Sequence, residues 1–240
     1  MTDSNQSASV LPDLKNEAPW ALVYYVAYLV YLFFSLEGEF LHWLTLVIIP
    51  FGLVYVYQNR GLRWHGIKQT LRSFGLEKTT LWNGFHWAVV IGLLLCLLQF
   101  FLSRNSDRIL LLFTSGRFVY LFPIALLLMF FTAGFTEEFF FRGLLQTRLQ
   151  HLFSSKVIAV IITSILFGIY HLPYAYLNPR WPSHGNLSEA FSSALGQGIP
   201  TGLILGTLYA RAKNNLLACI IVHSLVNSLP AMLAIKLQSP

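Results

Sequence analysis

About seven stretches of this chain, near residues 20–36, 40–57, 85–102, 118–135, 157–177, 198–210 and 215–235, stay apolar, and most are long enough to cross the ~30 Å hydrocarbon layer of a bilayer as helices. In hydrocarbon every backbone polar group must find its partner inside the protein, so only helices and closed barrels are open to such a chain. The barrel's alternation of apolar and polar residues is missing, and runs such as LVIIPFGLVYVY are apolar throughout. The fold class is therefore all-α, a polytopic membrane helix bundle of about seven transmembrane helices. Composition agrees: 55% of residues are hydrophobic and only 11% charged, against about 25% charged in soluble domains.

Residues 1–18 are polar and carry neither a basic n-region nor an A-x-A site, so no cleavable signal is expected and the first span stays in place. They read as a disordered head, with 19–240 a single transmembrane domain. The net charge of +6 suggests no nucleic-acid partner, because the basic residues sit mainly in connections between spans. Arg60, Arg63, Lys68, Arg72 and Lys78 oppose only Glu77 in the 58–80 loop, whereas the connection before the second span carries Glu37 and Glu39. The basic loop is expected on the cytoplasmic side, with Arg148 and Lys156 in a turn near 150–156, and Arg211 and Lys213, on the same side. Arg104, Arg108 and Arg117 then fall opposite, against that rule. Within the basic loop Trp64, Ile67, Leu71 and Phe74 recur at helical spacing, which suits a short helix lying in the headgroup region against membrane lipid.

Cys96 and Cys219 lie inside apolar runs and read as free, packed thiols, with no disulfide framework or cysteine metal site. Gly198, Gly202 and Gly206, four apart, let one helix backbone approach another closely.

Charge inside a span is costly, and ionisable groups there usually mark a site. Four polar clusters interrupt the apolar runs: TEEFFFRG, FGIYHLP, VHSLVN and an isolated Gln99. On a helix Glu138 and Arg142 are i and i+4 and can pair, while Glu137 is rotated about 100° away and left free. His223 and Asn227 are likewise i and i+4, on one face of the last span. His171 stands alone, two residues before Pro173, which can bend or end its helix. In an antiparallel hairpin of 119–149 with 156–172, Glu137 and His171 lie roughly 20–24 Å from the shared turn, at comparable depth. A lone buried histidine or a Glu–Arg pair is often structural. Together, a free glutamate, two histidines and an asparagine at one depth would be a costly way to pack helices.

A glutamate beside a histidine can hold and deprotonate a water, and His and Asn side chains can donate to the oxyanion formed when water attacks an amide. That is peptide hydrolysis without a covalent intermediate. Other protease chemistries lack their residues: there is no H-E-x-x-H and no G-x-S-x-G, and Asp3, Asp13 and Asp107 lie outside the spans. One alternative stays open. Glu137, His171 and His223 can also form a three-ligand zinc site with an open water position.

The strings EEFFFR (Glu137, Glu138, Arg142), FGIYH (Phe167 to His171) and HSLVN (His223 to Asn227) resemble the E-E-x-x-x-R, F-x-x-x-H and H-x-x-x-N motifs of the CPBP family. That family comprises CAAX prenyl endopeptidases and bacteriocin-processing or immunity membrane proteins, and is also called Abi. The resemblance covers roughly 119–230, which it marks as the catalytic core. It implies that Glu137 with His171 activates water, that His223 and Asn227 stabilise the oxyanion, and that Glu138 and Arg142 support the site. It also favours a metal-free mechanism, with no cofactor, over zinc held by Glu137, His171 and His223. The expected activity is cleavage of a membrane-associated peptide or protein tail, and the competing reading is a non-catalytic immunity or scaffold protein. A prokaryotic plasma membrane is the expected location.

Overall fold

Short polar side chains set where the later helices begin. Ser155 Oγ accepts from the Ile158 amide, Asn186 Oδ1 from Glu189 and Asn215 Oδ1 from Leu217, each supplying an acceptor to amides that have none within the helix. The computed structural model describes residues 14–35, 38–59, 64–78, 82–103 and 105–235. The head residues 1–13, Glu37, Arg60, Arg63 and Arg104, and the side chains of Glu39 and Trp64, lie outside the described residues.

The described residues hold nine helices and no strand: α1 (Ala18–Phe34), α2 (Phe40–Asn59), α3 (Trp64–Ser73), α4 (Phe85–Leu102), α5 (Ser106–Thr114), α6 (Phe118–Phe153), α7 (Lys156–Leu177), α8 (Leu187–Arg211) and α9 (Leu216–Ala234). Six of them, α1 with its preceding turn, α2, α4, α6, α7 and α9, are long and apolar enough to span a bilayer, which makes this an integral membrane protein. The seventh expected span, 198–210, is the second half of α8. That helix starts eleven residues earlier, in the polar stretch LSEAFSSALGQ. Its 25 residues give it the length but not the apolarity of the other spans.

The bundle is organised around α6. Every residue from 136 to 149 is buried, the signature of a helix enclosed on all sides. Phe139, Phe140 and Phe141 sit at its centre, with Phe139 stacked on Phe74 at 4.2 Å between ring centroids. The outward surface is apolar instead, with Val23, Leu93, Leu97 and Leu127 exposed where lipid tails would meet them.

α7 and α8 pack backbone to backbone. A Cβ added at Gly198 would lie 2.6 Å from Gly168 Cα, and one at Gly202 2.8 Å from Ser164 Cα, so the glycines' spacing serves close packing. Cys96 and Cys219 are free, their thiols directed at the carbonyls of Leu225 and Leu205.

Three expectations are corrected. The stretch assigned to a disordered head is ordered from residue 14: Leu14–Glu17 form a 3-10 turn whose Glu17 is fully buried. The helix of the basic loop is present as α3, but Phe74, expected on its lipid face, is buried against Phe51 of α2 and Phe139 of α6, while Ile67 and Leu71 are half-buried. Arg148 is no loop cation. It is fully buried and paired with Glu17 at 3.0 Å, because a turn that carries it inward meets a carboxylate 131 residues away.

Candidate active site

Two π-helical segments, Phe130–Gly134 and Phe139–Gln146, flank the single α-turn Phe135–Glu138. Such segments shift the register of a helix and recur at functional sites. Here they bracket Glu137 and Glu138 and direct the neighbouring carboxyls to different partners.

Glu138 is the anchored one. Its Oε1 accepts from Arg142 Nη1 at 2.9 Å and from His223 Nδ1 at 2.6 Å, with the carboxyl and guanidinium fully buried. Arg142 also donates to the carbonyl of Gly202 at 3.3 Å and lies 4.6 Å above the Phe167 ring. The close approach of α8 that glycine permits thus brings a backbone acceptor to the guanidinium.

Glu137 is the open one. Its Oε2 is buried and has no hydrogen-bond partner. His223 Nε2 lies 3.7 Å away and His171 Nε2 4.0 Å away, both too long for a direct hydrogen bond. His171 donates Nδ1–H to the Phe167 carbonyl at 2.8 Å, so its Nε2 turns a lone pair towards Glu137. A single water about 2.8 Å from both would bridge a 4.0 Å separation. His171 keeps 25% of its side chain exposed against 5% for His223, so the cluster opens on the α7 side.

The structure thus brings Glu137, Glu138, Arg142, His171 and His223 together from α6, α7 and α9. Asn227 stands one turn beyond His223 on α9, half-buried and in none of these contacts. Gln99 also stays outside them, its Oε1 without a partner. Two contributions were not visible in the sequence reading: the Glu138–His223 bond and the Gly202 carbonyl. The motif phenylalanine, Phe167, was the available signal for a third, since its position four residues before His171 lets its carbonyl fix the ring.

The zinc alternative needs Glu137, His171 and His223 drawn into one donor set. Bonds of about 2.1 Å in a tetrahedron place donors about 3.4 Å apart, and both separations from Glu137 Oε2 exceed this. Among the described residues no three His, Cys, Asp or Glu side chains are grouped to hold a metal ion. As they stand, the residues do not fit that role.

Among known proteins, residues 119–229 match the family described as type II CAAX prenyl endopeptidase Rce1-like. The chain is also 25% identical over 221 residues to a Bacillus subtilis (strain 168) protein, YyaK, described as uncharacterized; the match covers 90% of this chain and 68% of that protein. No solved structure gives a significant match. The motif residues of α6, α7 and α9 all lie inside the matched range, so this membrane protein is similar to the Rce1-like CAAX-protease family over residues 119–229.

Proposed function

We propose that the protein is an intramembrane endopeptidase that hydrolyses a peptide bond in a membrane-associated peptide or protein tail. The observation that carries this reading is Glu137 Oε2: a buried carboxylate oxygen without a partner, faced by two imidazole nitrogens one water's reach away. A structural carboxylate at such depth would be paired. This one has room for a reactant.

In this reading Glu137 takes a proton from the bridging water while His171 Nε2 accepts the water's other hydrogen bond and orients it. The resulting hydroxide attacks the scissile carbonyl carbon. Glu137 then returns the proton to the amide nitrogen as the C–N bond breaks, leaving a carboxylate and an amine. The tetrahedral oxyanion is held by Asn227 and His223. Because His223 gives Nδ1–H to Glu138, its Nε2 can donate only as the imidazolium, and the Glu138 carboxylate compensates that charge. Arg142 in turn holds Glu138. No step uses a metal ion.

The Rce1-like match supports a peptide or protein substrate of the CAAX-protease type, and the Bacillus relative supports a bacterial plasma membrane as the location. The test compares the proteins of membranes carrying the wild type with those carrying Glu137→Ala at equal abundance. Expected is at least one protein or peptide that is shortened only with the wild type. Identical protein profiles, with every phenotype of the wild type retained by the variant, would favour the immunity or scaffold role instead.

A further inference from the structure

The residues just before α4 meet the connection between α8 and α9. There a Cβ added at Gly84 would lie 2.8 Å from Ala212 Cβ, and Asn215 Nδ2 donates to the Asn83 carbonyl at 2.6 Å. Beyond that junction the two helices leave a cleft of about 800 Å³, walled by Trp87 and Ile91 of α4 and Leu203 and Ile204 of α8, with Arg211 and Lys213 at its rim. It is separate from the catalytic cluster. Gly202 and Gly206 face α7 and α6, whereas the cleft residues of α8 project roughly 150° around the helix from them.

The cleft has two chemistries in a fixed order. Arg211 and Lys213 are exposed and enter no ion pair among the described residues, so their charge is available to an anion. From Arg211 to Leu203 the apolar wall of α8 runs about 12 Å inward, enough for the upper part of an acyl chain. Trp87 is exposed near the start of α4, at the level where an amphipathic indole meets lipid headgroups. A free phosphate would use only the rim and an apolar peptide only the wall. A lipid phosphate with its chain uses both.

We propose that the α4–α8 cleft binds one anionic glycerophospholipid from the surrounding leaflet. Its phosphate sits on Arg211 and Lys213 and one acyl chain lies along Trp87, Ile91, Leu203 and Ile204. The site does not depend on the protease reading.

The test is native mass spectrometry of the detergent-purified full chain, titrated with phosphatidylglycerol or phosphatidylcholine of the same chain length. Expected is one retained phosphatidylglycerol, bound at least 10-fold more tightly than phosphatidylcholine. Arg211→Gln with Lys213→Gln should lower the phosphatidylglycerol affinity about 30-fold, about 5-fold for each cation. Lys68→Gln, on α3 and outside the cleft lining, should leave it unchanged. Brominated phosphatidylglycerol should quench tryptophan emission in the wild type more than in Trp87→Phe, a readout that stands even if the double variant misfolds. Equal affinity for the two lipids, undiminished preference in a folded double variant, or displacement by millimolar inorganic phosphate would each overturn the proposal. Equal quenching in Trp87→Phe would place the lipid elsewhere.

Discussion

α6 carries two buried ion pairs, Glu138–Arg142 at 2.9 Å and Glu17–Arg148 at 3.0 Å, and all four side chains are fully buried. They are built in opposite ways. Glu17 accepts from Arg148 Nε on one oxygen and from Gln58 Nε2 on the other, at 3.0 and 2.8 Å. Arg148 spends its other donors on the Ser73 and Gly143 carbonyls and on Ser73 Oγ, and its guanidinium covers Phe74 at 4.6 Å. At the catalytic cluster, by contrast, Glu137 Oε2, Glu138 Oε2 and Arg142 Nε are buried with no hydrogen-bond partner. Each such orphan costs about 1–3 kcal/mol. The difference separates roles that charge alone does not: a completed network ties elements together, and an incomplete one keeps valences for a water and a substrate.

The largest effect expected from this contrast is at Glu137. Glu137→Gln should lower turnover about 10²- to 10⁴-fold, the range of general-base catalysis. It should leave the melting temperature unchanged or raised, because no hydrogen bond to Oε2 is lost. A melting temperature that fell as far as in an Arg148 variant would break the comparison. Asn227→Ala comes next, at about 10²- to 10³-fold in turnover with substrate binding little changed, the usual loss for one oxyanion donor. An effect below tenfold would remove Asn227 from the reaction, while enzyme purified without stoichiometric metal should stay active.

At the completed network the expected loss is in stability. Arg148→Ala leaves Glu17 charged and buried, which costs about 3–5 kcal/mol, while the molecules that remain folded should turn over at near the wild-type rate. Replacing both partners, Glu17→Met with Arg148→Met, should recover most of that loss, since apolar pairs of similar volume often match a buried ion pair. Arg142→Ala should lower stability and turnover together, because Glu138 then loses its partner and His223 its support. Denaturation of purified protein in detergent, read beside single-turnover rates, distinguishes the two patterns. If Arg148→Ala lost turnover in proportion to Arg142→Ala, both pairs would belong to one functional unit.

Local spacing made one of these pairs legible and hid the other. Glu138 and Arg142 are four apart on one helix, so their pairing follows from helical geometry, and the motif order placed His171 and His223 beside them. Arg148 has no acid at helical spacing. Its partner lies 131 residues upstream, in a stretch whose polarity suggested disorder, so a basic residue near a turn was naturally taken for a loop cation. The same limit applies to α3: the amphipathic pattern of the basic loop shows a helix but cannot tell lipid from protein as what its apolar face meets. α8 was half visible, because the run after Gly198 is apolar while Ser188, Glu189, Ser192 and Ser193 before it are not. The Glu138–His223 bond joins elements 85 residues apart, a pairing that no periodicity encodes.

The smallest expected effect tests whether the close packing of α7 on α8 matters to the open cluster. A methyl added at Gly202 would meet Ser164 Cα at 2.8 Å, a backbone atom that can yield only if the helices part. Gly202→Ala should therefore cost about 1–3 kcal/mol, the usual range for overpacking. It should also lower turnover a few-fold, since the Gly202 carbonyl that receives Arg142 Nη2 would move with α8. Gly196 on the same helix is the control. A methyl there meets nothing within 4 Å, so Gly196→Ala should stabilise by about 0.5–1 kcal/mol through helix propensity alone and leave turnover unchanged. Melting curves and rates of the two variants side by side decide the matter. Equal stabilisation by both would mean that α8 is free to shift, and that Arg142 does not rely on the Gly202 carbonyl for its place.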